Sequence, residues 1–131
     1  MKYLNSKAIT IIREMIIATM PKIKVKGGIC RFNYRCHANA VNDAVVANQD
    51  RIAMCFYLID NDPILHFVNI NEEGEYIDNT IGVWAERYDY YLIRIIDKEQ
   101  FFDILDIFVN YRKELRSRLP LYVRWFSDES F

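Results

Sequence analysis

Three β-rich runs, Ile52–Ile59, Ile64–Ile70 and Glu75–Thr80, follow one another with only turn-forming residues between them, and no other feature narrows the possible folds as much. Asn61-Asp62-Pro63 fills the first gap and Asn71-Glu72-Glu73-Gly74 the second. Such residues favour tight reversals, so the runs predict an antiparallel meander. On the middle run a period of two puts Ile64, His66, Val68 and Ile70 on one face, with the imidazole among apolar neighbours.

The segments around the meander predict helices. Leu4, Ala8, Ile11, Ile12, Met15, Ile16 and Thr19 recur at three-and-four spacing, and Pro21 ends that helix. Lys22 to Val25 alternates lysine with Ile23 and Val25 and reads as a short strand or arm running into a flexible Gly27-Gly28 turn. From Cys36, the face Ala38, Ala40, Val41, Ala44, Val45, Ala47 predicts a central, closely packed helix ending near Asn48-Gln49-Asp50. Beyond the meander, Tyr88–Ile96 is aromatic and β-branched enough for a fourth strand. Asp97, with Gln100 in the capping-box position, is expected to start a last helix. Its apolar stripe would be Phe101, Phe102, Leu105, Phe108, Val109, Leu115 and Leu119. After Pro120, the aromatic tail Leu121-Tyr122-Val123-Arg124-Trp125-Phe126 must dock on the domain, on a protein partner or on a membrane surface. The sum is a single α+β domain over residues 1–131, a central helix against a small antiparallel sheet with flanking amino- and carboxy-terminal helices.

Composition excludes several classes. Half of the 131 residues are hydrophobic, enough for a core without staples. A net charge of -1 with interspersed signs gives no long-range field for a polyanion, which disfavours nucleic acid and leaves only Lys22, Lys24 and Lys26 as a local basic patch. Arg13-Glu14 interrupts the amino-terminal apolar run well short of a membrane span. Three cysteines, Cys30, Cys36 and Cys55, with nothing resembling a secretion signal ahead of them, predict reduced thiols in the cytoplasm. No C-x-x-C or H-x-x-x-H pair occurs, so no metal site and no cofactor are expected.

What remains is chemistry carried by order. A thiol, Cys36, stands where a helix begins and where the helix field favours negative charge. An imidazole, His66, lies on one strand and a carboxylate, Asp78, on the next. Nucleophile, base and orienting acid are what a cysteine nucleophile requires. The words Arg35-Cys36 ahead of an Ala-rich helix, His66-Phe67-Val68-Asn69 and Gly74-Glu75-Tyr76-Ile77-Asp78-Asn79-Thr80 resemble the papain-like cysteine fold, most of all its transglutaminase-like branch with its G-x-(W/Y)-x-x-D-x-T phrase. The match covers about a third of the chain, has no Gln ahead of Cys36, and has Phe67 where Trp is usual. The resemblance implies acyl transfer or amide hydrolysis on a protein or small amide substrate, with Cys36 attacking, His66 moving the proton and Asp78 fixing the imidazole.

Four more residues belong to that expectation. Asn33 is the candidate side-chain donor to an oxyanion, beside the backbone N–H of Cys36. His37 adjoins the thiol but points about a quarter turn away, which makes it the weaker base. Asn39, like Asn42, either lines the site or lies on a solvated helix face, and Asn79 is the fallback orienter. Two readings stay open: a small cysteine hydrolase or acyltransferase, and a non-catalytic module of the same fold that binds a protein partner through its aromatic tail.

Overall fold

The computed structural model describes residues 2–31, 33 and 35–121. Its elements are α1 (Lys2–Thr19), β1 (Lys22–Ile23), β2 (Val25–Gly27), α2 (Cys36–Val46), β3 (Arg51–Ile59), β4 (Asp62–Ile70), β5 (Tyr76–Asp78), β6 (Asp89–Asp97) and α3 (Ile104–Ser117). Short 3-10 segments occupy Gly82–Arg87 and Lys98–Asp103. The architecture is mixed α+β, with helices flanking a curled six-stranded sheet ordered β1-β6-β3-β4-β5-β2. All pairings are antiparallel except β2 with β5, so the sheet is larger and less uniform than the sequence suggests.

The curl follows from chain connectivity. β1 and β2 form opposite borders of the sheet, yet only Lys24 separates them. Adjacent Cα atoms lie about 3.8 Å apart, so the borders must meet within roughly 7 Å there and the sheet bends round on itself. A bulge at Met54/Cys55, where β3 meets β6, adds local twist in the same region.

The meander is present, with β3–β4 and β4–β5 both antiparallel. Its first turn differs from expectation. Pro63 lies inside β4 opposite Leu58, and the reversal contracts to Asp60-Asn61, whose φ values of 49° and 71° make a two-residue hairpin with both central residues left-handed. Proline is tolerated there because β4 meets β5 only at Asn69 and Ile70, leaving the Pro63 end of that border without a ladder. Gly27-Gly28 is not a flexible turn either. A Cβ on Gly27 would sit 2.5 Å from the Gly82 carbonyl oxygen, and one on Gly28 would collide with the Asn79 side chain, so both glycines mark close backbone packing.

α2 stops close to where the asparagine marks its end. Asn48 adopts φ 55° and the Gln49 N–H reaches back 2.7 Å to the Ala44 carbonyl, a left-handed stop that asparagine tolerates. Ala40 and Ala44 are buried against the sheet, whereas Val45 and Val46 face solvent, so the helix forms a half-buried layer rather than a central rod. In the last helical region Asp97 makes no side-chain cap, and residues 98–103 wind as 3-10 before α3 begins at Ile104. That change of pitch shifts the phase of the stripe. Phe101, Ile104, Phe108 and Leu115 turn toward the core, while Phe102 is 94% exposed and Leu105 and Val109 point outward.

The core has two sides. On the helix side, α1 packs on Phe56 and Tyr91, while α2 and α3 pack on Ile52, Met54, Phe67 and Ile96. Inside the curl, Val25, Cys55, Tyr57, Val68 and Tyr90 form a separate cluster. Each fully buried side chain of this size contributes about 1.5–3 kcal/mol of transfer free energy, so both faces of the central strands are anchored.

Candidate active site

Asp78 is the last residue of β5 and is completely buried. A carboxylate can be held there only if its oxygens are satisfied, and four donors converge on it. The backbone N–H groups of Thr80 and Ile81 donate to Oδ1 at 2.9 and 3.0 Å. The Tyr90 hydroxyl donates to Oδ2 at 2.6 Å, and His66 Nε2 approaches the same oxygen at 2.7 Å. Burial raises the carboxyl pKa, but the bonds from His66 and Tyr90, the His66 charge and the Ile81 amide outweigh it and hold the group below the ordinary aspartate range.

His66 sits at the middle of β4, 3% exposed, facing the inside of the curl. The ring of Tyr57 meets it edge-on at 4.9 Å and fixes its plane. Nε2 is committed to Asp78, which leaves the other ring nitrogen free of the carboxylate. Cys36 opens α2, packs partly into the helix-side core and lines one cleft with the imidazole, where β5 has already ended and the border of β4 is open. Burial lowers the imidazolium pKa, yet hydrogen bonds and charge from Asp78 and Cys36 dominate and raise it to about 9. Helix geometry leaves the first amides of α2 without carbonyl partners inside the helix, pointing outward beside the thiol.

Cys36, His37, Tyr57, Ile64, Leu65, His66, Thr80, Ile81 and Phe108 line a cleft of about 320 Å³. The three residues that lie far apart in the chain are thus brought to one place, and His37 stands at the same opening. The asparagines are not cleft-lining. Asn33 donates to Asn39 Oδ1 at 3.2 Å and accepts from the Arg35 N–H and from Asn39 Nδ2, which engages its carboxamide away from the cleft. Asn39 also donates to Thr80 Oγ1 at 2.9 Å and so braces the loop whose amides hold Asp78. Asn79 faces the other way, accepting from the Ile29 N–H and donating to Asn69, while Asn42 is exposed. The aromatic run at 122–126 lies outside the described residues.

Other participants had no sequence signal. Tyr90 looks like an ordinary aromatic strand residue until β6 is known to lie beside β3, which puts it within reach of Asp78. Arg31 grips Asp43 of α2 through two contacts of 2.8 and 2.9 Å and the Asn79 carbonyl at 2.6 Å, tying the Cys36 helix to the end of β5. The thiol of Cys55, behind His66, is fully buried; burial and the Asp78 charge push its pKa well up and keep it protonated.

No family model, no curated protein and no solved structure matches this chain. Among the described residues no helix is long and apolar enough to cross a membrane.

Proposed function

We propose that this chain is a small cysteine hydrolase or acyltransferase on a papain-like core of the transglutaminase-like kind, acting on a carbonyl substrate by way of a Cys36 thioester. The observation that carries the reading is the 2.7 Å contact between His66 Nε2 and Asp78 Oδ2, in an imidazole that lines the same cleft as Cys36. The buried carboxylate orients the imidazole and favours its protonated form, so His66 can take the Cys36 proton and pass it on. Cys36 attacks the carbonyl carbon, and the oxyanion is received by the first-turn amides of α2. His66 gives its proton to the leaving group and then takes one from water or an acceptor amine. Three cysteines with no disulfide among them suit a reducing compartment such as the cytoplasm.

The test is thiol reactivity. Iodoacetamide near neutral pH should label Cys36 well ahead of the exposed Cys30, and p-nitrophenyl acetate should leave an acetyl group on Cys36, found by mass spectrometry of the intact chain. Replacing His66 by Gln, in a chain with unchanged circular dichroism, should slow both by about a hundredfold or more. Sluggish labelling of Cys36, no faster than Cys30 and insensitive to His66, overturns the enzymatic reading and favours the binding module.

A further inference from the structure

The cleft beside Cys36 does not end at its far wall. A second hollow of about 230 Å³, between α1, the Pro63 end of β4 and α3, shares Ile64, Leu65 and Phe108 with it. It adds Ile12, Phe56 and Leu115, so the walls stay apolar away from the thiol. Arg112 stands at its rim with its guanidinium 5.7 Å from the Phe108 ring centroid, and Phe108 is held from behind by Phe67 at 6.1 Å. Among the described residues no Asp or Glu lines either hollow. Ile64 is 37% exposed, whereas His66, Val68 and Ile70 on the same strand face are buried, so it is an apolar side chain the core does not use.

Apart from the His66, Cys36 and His37 side chains and the Thr80 and Tyr57 hydroxyls at the mouth, the described residues along this path offer a substrate no hydrogen-bonding side chain until Arg112. A glutamine carboxamide or a charged peptide side chain would lose its water there without replacement. A hydrocarbon chain would lose nothing and would gain contact along its length.

We propose that the two hollows form one groove that receives an unbranched aliphatic acyl chain, and that Cys36 takes its acyl group from aliphatic esters or thioesters rather than from glutamine side chains. This rests on the thiol-nucleophile reading above. In the hydrolytic form, the Cys36 sulfur bonds to the acyl carbon and the bond to the alcohol or thiol breaks, the leaving group taking the proton held by His66. Water then adds to the thioester while His66 accepts its proton, the carbon–sulfur bond breaks, and acid and free Cys36 result.

The test compares p-nitrophenyl esters from acetyl to octanoyl. A fully buried methylene is worth about a fourfold gain and a half-covered one about twofold, so kcat/KM should rise roughly fiftyfold or more over the series. Ile64→Asp, at an exposed position, should cut the octanoyl-to-acetyl ratio about tenfold or more. In parallel, octanamide should bind the Cys36→Ala chain measurably in calorimetry, and acetamide should not. Acetylation of Cys36 without any chain-length preference overturns the groove and leaves the nucleophile standing. Absence of acylation with every ester overturns the nucleophile, and absence of octanamide binding overturns the groove whatever Cys36 does.

Discussion

At the scale of single residues, the His66–Asp78 pair makes folding depend on pH in a direction that can be worked out. Unfolded, the two groups titrate near 6.5 and 3.8. The folded imidazole keeps its proton up to about 9, so its contribution is complete below pH 6.5 and is lost as pH rises through 9. The aspartate pKa is lowered, so its contribution is complete above pH 3.8 and is lost as pH falls through the folded value. Stability should therefore be greatest between about pH 4 and 6.5, with an alkaline decline on the order of a few kcal/mol, read from urea melts at pH 5, 7 and 9. His66→Gln should flatten that alkaline limb; an unchanged limb would mean the proton is held elsewhere. Tyr90→Phe removes one of the two donors on Asp78 Oδ2 and should cost about 1–3 kcal/mol at pH 6. The same melts check it, with no loss of stability as the contrary result.

At the scale of elements, the least forgiving positions are those where backbones touch. Gly27→Ala would drive a Cβ into the Gly82 carbonyl, so either β2 or the 3-10 segment after it must shift; loss of several kcal/mol or of soluble expression is expected. The β3–β4 hairpin offers the opposite case. Asn61 is held at φ 71°, and Asn61→Gly should raise stability by about 0.5–1 kcal/mol through a turn better suited to its backbone, measurable as a higher urea midpoint. The strands and α1 were legible because apolar periodicity and turn residues are local signals, and chain order singled out Cys36, His66 and Asp78, of which the structure brings His66 within 2.7 Å of Asp78 and puts Cys36 in the cleft beside His66. What was not legible depends on neighbours. Pro63 reads as a turn residue until the border of β4 is known to be open, Phe102 reads as part of a stripe until the winding changes at Ile104, and Tyr90 reveals nothing until the strand order puts it over Asp78. Asn33, expected as an oxyanion donor, and Asn39, expected to line the site or a solvated face, instead have each other and Thr80 as partners.

At the scale of the whole molecule, the fully buried Cys55 lies in β3, which is paired on both sides and covered on both faces. Its thiol should react only when the entire domain opens, so its alkylation rate should rise exponentially as added urea lowers the global unfolding free energy. A rate independent of urea would reveal a local opening through the sheet. The meeting of the two sheet borders at Lys24 has a temporal consequence as well. Residues 22–27 must find partners at Tyr90 and Tyr91 on one side and at 76–78 on the other. A ribosome extruding this chain therefore releases its first strands long before either mate exists, and the amino-terminal quarter must idle in solution until about a hundred residues have emerged and the last strand can claim it.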